Sequence, residues 1–122
     1  MAIKVLVVED DRFLLNAYHA KLINAGFDLQ TAANGEEALT VLQTFKPDVI
    51  LLDLVMPRKD GFATLQEIKA NDALKDIPVI VATNLGQKED TQRVMELGAV
   101  ECIIKSNLSL SDLVKKLQAF AH

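Results

Sequence analysis

Five short apolar runs recur along the chain, each followed by a longer stretch in which apolar residues return every third or fourth position. The runs "IKVLVV" (3–8), "DLQTA" (28–32), "DVILLD" (48–53), "IPVIVA" (77–82) and "VECIIK" (100–105) are β-branched and apolar and predict strands. The stretches between them predict helices. "RFLLNAYHAKLINAG" is closed by Gly26, and "GEEALTVLQTFK" opens after Asn34, an N-cap type, and stops before Pro47. "FATLQEIKAN" follows Asp60-Gly61, and "KEDTQRVMELG" is closed by Gly98. The last, "SLSDLVKKLQAF", places Leu110, Leu113, Val114 and Leu117 on one face, and Ser109 with Asp112 resembles a capping box in which Asp substitutes for Glu.

Strict alternation of strand and helix implies a parallel sheet covered on both faces, because right-handed crossovers leave few other solutions. The expected fold is α/β, a flavodoxin-like (βα)5 doubly wound sandwich with strand order 2-1-3-4-5. No repeat, linker or low-complexity tract interrupts the pattern, so residues 1–122 read as one domain.

Composition adds limits. Half the residues are hydrophobic and 25% are charged, which suits a folded globule. The net charge of −4, with Lys and Arg scattered, argues against direct nucleic-acid binding or an anionic membrane footprint. Cys102 is the one cysteine and has no partner for an internal disulfide. The opening "MAIKVLVVEDD" is too short in its apolar part for a signal sequence or a membrane span, so a cytoplasmic setting is expected.

In such a sheet ligands bind at the carboxyl ends of the strands, near the switch in strand order. There the first strand delivers Glu9-Asp10-Asp11, the third Asp53, the fourth Thr83 and the fifth Lys105. Converging carboxylates repel one another unless a hard cation holds them, and an oxygen-rich anionic set suits Mg²⁺. Asp53 could then attack a phosphoryl group and form an aspartyl phosphate. Metal and Lys105 would neutralise the phosphoryl oxygens, and Thr83 would donate a hydrogen bond to one of them. Each residue alone has a plainer reading: the acids as caps for the first helix, Lys105 as a solvated edge residue, Thr83 as a turn former. Their placement on one rim is what favours the joint reading.

Glu9-Asp10, Asp53 followed by "LVMPRKDG", Thr83 and Lys105, in that order and near those spacings, resemble the receiver domain of bacterial two-component response regulators. The resemblance covers essentially the whole chain. It implies phosphotransfer from a histidine kinase or phosphotransfer protein to Asp53, with Mg²⁺ held by Asp10, Asp53 and the backbone carbonyl of Val55, and Glu9 reaching the metal through water. Asp11 is then a bystander at the start of the first helix. Output is expected to pass to a downstream protein through the surface of the fourth helix, fifth strand and fifth helix, with no output domain expected after the last helix.

The chain departs from the family pattern at two positions. Receivers usually carry an aromatic residue three before the lysine, where this sequence has Cys102, and a proline after it, where this sequence has Ser106. Activation is therefore expected to move the segment "NLGQKED" with the fourth helix rather than swing a ring, and the peptide after Lys105 should be trans. Val55 and Leu85, at positions that influence water access in the family, are apolar, so the phosphoryl group should be lost slowly. Cys102 itself reads as a small core hydrophobe, Met56 and Met95 as packing residues, and His19 and His122 as surface residues that make no zinc site.

Three rival readings fit the residues less well. A haloacid-dehalogenase-type phosphatase needs a second Asp two residues after the nucleophile, and Val55 stands there. A flavin or nucleotide binder needs a glycine-rich phosphate loop, which is missing. A degenerate receiver, acting as a phosphorylation-independent interaction module, has to explain the full set of acids, Thr and Lys. The expectation is a signalling phosphoacceptor, with at most self-phosphorylation and self-dephosphorylation, rather than a turnover enzyme.

Overall fold

A computed structural model describes residues 2–54, 60–84 and 88–121. Strands and helices alternate: β1 (Lys4–Val8), α1 (Arg12–Asn24), β2 (Asp28–Ala32), α2 (Gly35–Val41), β3 (Val49–Asp53), α3 (Gly61–Ala70), β4 (Val79–Thr83), α4 (Lys88–Glu96), β5 (Glu101–Ile104), a 3₁₀ turn (Lys105–Asn107) and α5 (Leu110–Phe120). The five strands form one parallel sheet of order β2-β1-β3-β4-β5, as the sequence pattern predicts.

The pleat divides the core into two layers. Leu6, Val8, Ile50, Leu52, Val79 and Val81 face one way and pack with Ala38, Leu65, Ile68 and Val94 of α2, α3 and α4. Val5, Val7, Val49, Leu51, Ile80 and Ala82 face the other way, toward Tyr18 and Leu22 of α1 and Leu113 and Leu117 of α5. The central strands are buried on both faces, which is why β3 and β4 read as continuous apolar runs rather than alternating ones.

The caps follow the side chains named from sequence. Asn34 accepts the Glu37 N–H at 2.9 Å, Asp60 accepts the Ala63 N–H at 2.8 Å, and Ser109 accepts the Asp112 N–H at 3.1 Å. Gly26 and Gly98, at φ +93° and +109°, turn the chain out of α1 and α4 through the left-handed region.

Several boundaries differ from expectation. The second helix was expected through residue 46 but ends at Val41, with Leu42 as its cap; beyond it the amides of Gln43 and Thr44 bond three residues back to Thr40 and Val41. The fourth strand was expected from residue 77. It starts at Val79 because Pro78 has no N–H to give the ladder. Met95 is 44% exposed on α4 rather than packed, and His19 is exposed as expected. Met56 and His122 lie outside the described residues.

Candidate functional site: an acidic cleft at the carboxyl rim of the sheet

Period-two geometry explains how three distant residues meet. Asp53 ends β3, and Glu9 and Lys105 directly follow β1 and β5, with the same parity as Leu51, Val7 and Ile103, so all three continue the face that α1 and α5 cover. The Lys105 ammonium donates a short bond to Glu9 Oε1 and lies 3.2 Å from Asp53 Oδ1. Asp53 Oδ1 also accepts the Leu54 N–H at 2.9 Å, which fixes the carboxylate against its own main chain. Thr83 has the opposite parity and lies on the layer of α4, with Cα register to Ile104. Glu9, Asp10, Asp11, Asp53, Thr83, Asn84 and Lys105 line one cleft of about 340 Å³.

Burial sets the electrostatics. Glu9 is 2% exposed, and desolvation, opposed by Lys105 and reinforced by Asp53, pushes its carboxyl up to about 7. Burial alone would lower the Lys105 ammonium, but its bond to Glu9 and the charges of Asp53 and Glu9 reverse this and hold it above the usual lysine range. Glu9, Asp10 and Asp53 each offer an oxygen, all within 4.8 Å of one another, with Asp10 exposed at the mouth. Three hard anionic oxygens with an open side match what Mg²⁺ takes from protein, and receiver domains generally bind Mg²⁺ at such an acidic pocket.

Every described residue of the predicted site is therefore on this rim. Val55 and Leu85 lie outside the described residues. Asp11 caps α1 through the Leu14 N–H at 3.1 Å and gives its own N–H to Glu9 at 3.3 Å, so it supports Glu9 from behind. The Lys105–Ser106 peptide is trans. Cys102 is half-buried against the α4 layer, its thiol pushed up by burial, and Sγ lies 4.0 Å from Thr91 Oγ1.

Two residues of the site were not anticipated as such. Tyr18 of α1 lies in the field of Lys105, Glu9 and Asp53, with burial raising its phenol; an aromatic at helical spacing is indistinguishable from core in sequence. Gly61 gives its N–H to the Leu54 carbonyl at 2.9 Å, and a Cβ there would collide with the Asp53 carbonyl oxygen. The sequence signal was the Asp60-Gly61 break, which marks a helix start but not a close approach.

A family profile described as the response regulator receiver domain matches residues 5–118. The chain is 38% identical over 102 residues to a probable transcriptional regulator, ycf27, of Cyanophora paradoxa, covering 84% of this chain and 41% of that protein. It thus spans about two-fifths of the length of the curated relatives it matches. Among solved structures, the chemotaxis response regulator CheY4 of Vibrio cholerae superposes with a TM-score of 0.90 at 30% identity, over 98% of this chain and 99% of that one. The phosphorylated cyanobacterial phytochrome response regulator RcpA gives 0.83 at 30% identity, over 98% and 91%. Among the described residues no helix is long and apolar enough to cross a membrane.

Proposed function

The chain belongs to the response regulator receiver domain family, and on that premise we propose that Asp53 accepts a phosphoryl group from a histidine kinase or phosphotransfer protein. The observation that carries this reading is the Lys105 bridge to Glu9 and Asp53 in a cleft that also holds Asp10 and Thr83. Asp53 Oδ attacks phosphorus, the P–N bond of the donor phosphohistidine breaks, and its electron pair leaves with the imidazole, which takes up a proton. Lys105 and the Thr83 hydroxyl stand on the same rim to meet the phosphoryl oxygens. Asp10 and Asp53 would hold Mg²⁺, with Glu9 reaching it through water and the Val55 carbonyl as a further donor. Bound there, the ion would screen the carboxylates from the incoming phosphoryl group.

The product is a switch. An aspartyl phosphate adds about −1.5 to −2 charge, by analogy with other phosphorylated side chains, and biases a two-state equilibrium around the rim. Apart from gaining and losing its own phosphoryl group the domain turns nothing over. Its reader is a protein docking on α4, β5 and α5, in the cytoplasm, without direct contact of this domain with nucleic acid. That RcpA is described as phosphorylated supports this reading; that ycf27 is described as a transcriptional regulator concerns a protein of which this chain spans 41%.

The test is the intact mass after incubation with acetyl phosphate and Mg²⁺. One phosphoryl adduct is expected in the wild type, none in Asp53→Asn, and little without metal. An unmodified wild type under all conditions would replace this reading with a phosphorylation-independent interaction module.

A further inference from the structure

α4 is the most weakly buried of the described helices. Within Lys88–Glu96 only Val94 is fully buried, whereas α3 buries Gly61, Thr64, Leu65 and Ile68, and α5 buries Leu113 and Leu117. With so little apolar anchorage, polar contacts set where α4 rests. One is the long Cys102–Thr91 approach at 4.0 Å. A directional contact stands beside it among the described residues: the Arg93 guanidinium lies 4.1 Å from the centroid of the Phe62 ring.

Phe62 is the second residue of α3, next to Gly61. The Gly61 N–H is bonded to the Leu54 carbonyl, and its Cα is pressed so closely on the Asp53 carbonyl that no Cβ fits. Close-packed backbone transmits displacement rather than absorbing it. A movement of the main chain at Asp53 therefore carries the start of α3, and the Phe62 ring, with it.

We propose that the Phe62–Arg93 stack is a latch that ties α4 to the phosphoacceptor strand, so that the state of Asp53 reaches α4 laterally through Gly61 and Phe62. This rests on the phosphoacceptor reading above and adds the route by which a chain with Cys102 in place of a switching aromatic moves its fourth helix. An exposed cation–π contact biases an equilibrium by about two- to five-fold, enough to weight a thinly anchored helix without locking it.

The experiment is hydrogen–deuterium exchange of the α4 amides in the wild type, Arg93→Lys, Phe62→Leu and the double variant, each with and without beryllofluoride and Mg²⁺. Arg93→Lys keeps the charge and loses the planar face; Phe62→Leu keeps apolar bulk. Without the mimic, each single variant is expected to raise α4 exchange about two- to five-fold, and the double no further, with β1 and β3 unchanged. The mimic should then change α4 exchange less in the variants than in the wild type, while the Asp53 adduct with acetyl phosphate forms as before. Unchanged exchange in both single variants, multiplying effects in the double, or an undiminished response to the mimic would each overturn the latch. Failure of the wild type to form any adduct would instead overturn the phosphoacceptor reading, and the mimic-free comparison would then decide the stack alone.

Discussion

Gly61 is where a single methyl group reaches the site without altering any charge. Its Cβ would meet the Asp53 carbonyl oxygen, whereas a Cβ on Gly26 meets nothing within 4 Å and is disfavoured only by φ +93°. Gly61→Ala should cost about 1–3 kcal/mol through forced backbone movement and also slow phosphorylation, because the displaced atoms carry Asp53. Gly26→Ala should cost about 1–2 kcal/mol and leave phosphorylation unchanged. Urea denaturation beside adduct formation separates the two; equal phosphorylation rates would remove Gly61 from the site. Glu9 gives a pH dependence of defined sign. Its carboxyl titrates near 4.5 unfolded and about 7 folded, so between these values the folded protein holds the extra proton. The contribution of Glu9 to stability is thus greatest below pH 4.5 and lost as pH rises through 7. In metal-free buffer, wild-type stability relative to Glu9→Gln should fall between pH 5 and pH 8, read from urea midpoints; a constant difference would mean that Lys105 keeps Glu9 ionised throughout.

At the scale of elements, the α5 stripe is the part of the sequence reading with the clearest energetic consequence. Leu113 and Leu117 are fully buried, while Leu110 and Val114 pack at the edge of the same layer. Leu117→Ala should destabilise by about 2–5 kcal/mol, measured by urea unfolding, whereas Met95→Ala on the exposed side of α4 should stay within about 0.5 kcal/mol. This pair also shows what was legible. Strand identity, strand order and the gathering of Glu9, Asp10, Asp53, Thr83 and Lys105 on one rim follow from alternation and from the ends of apolar runs, both of which are local signals. Met95 sits at a plausible helical spacing, but nothing in the sequence tells which face of a polar helix such as "KEDTQRVME" meets the sheet. The same limit hid the Phe62–Arg93 stack and the place of Tyr18 beside Lys105, which depend on how separate elements lean together. The early end of α2 was hidden for another reason, since helix ends fray and the last turn is often 3₁₀, which the apolar spacing does not register.

For the molecule as a whole, ligand binding at the rim should be felt as global stability, because a domain of this size unfolds cooperatively. A cation that binds only the folded chain stabilises it by about 2.7 kcal/mol at a concentration 100 times its dissociation constant, and each kcal/mol moves the thermal midpoint by roughly 4 °C. Mg²⁺ at that concentration should therefore raise the melting temperature of the wild type by roughly 10 °C. Asp10 is the carboxylate to remove as a control. It is exposed at the mouth of the cleft, beside the Lys105 bridge to the other two acids, so Asp10→Asn leaves that bridge in place. Metal-free stability of Asp10→Asn should match the wild type within about 0.5 kcal/mol, and the Mg²⁺-dependent rise should largely disappear. The rise in the wild type should also be larger at pH 8 than at pH 6, because Glu9 holds a proton up to about 7 and a neutral carboxyl adds no charge to attract the cation or to orient its water. An equal rise in both proteins, or one indifferent to pH, would assign the effect to ions screening the net charge of −4 rather than to the cleft.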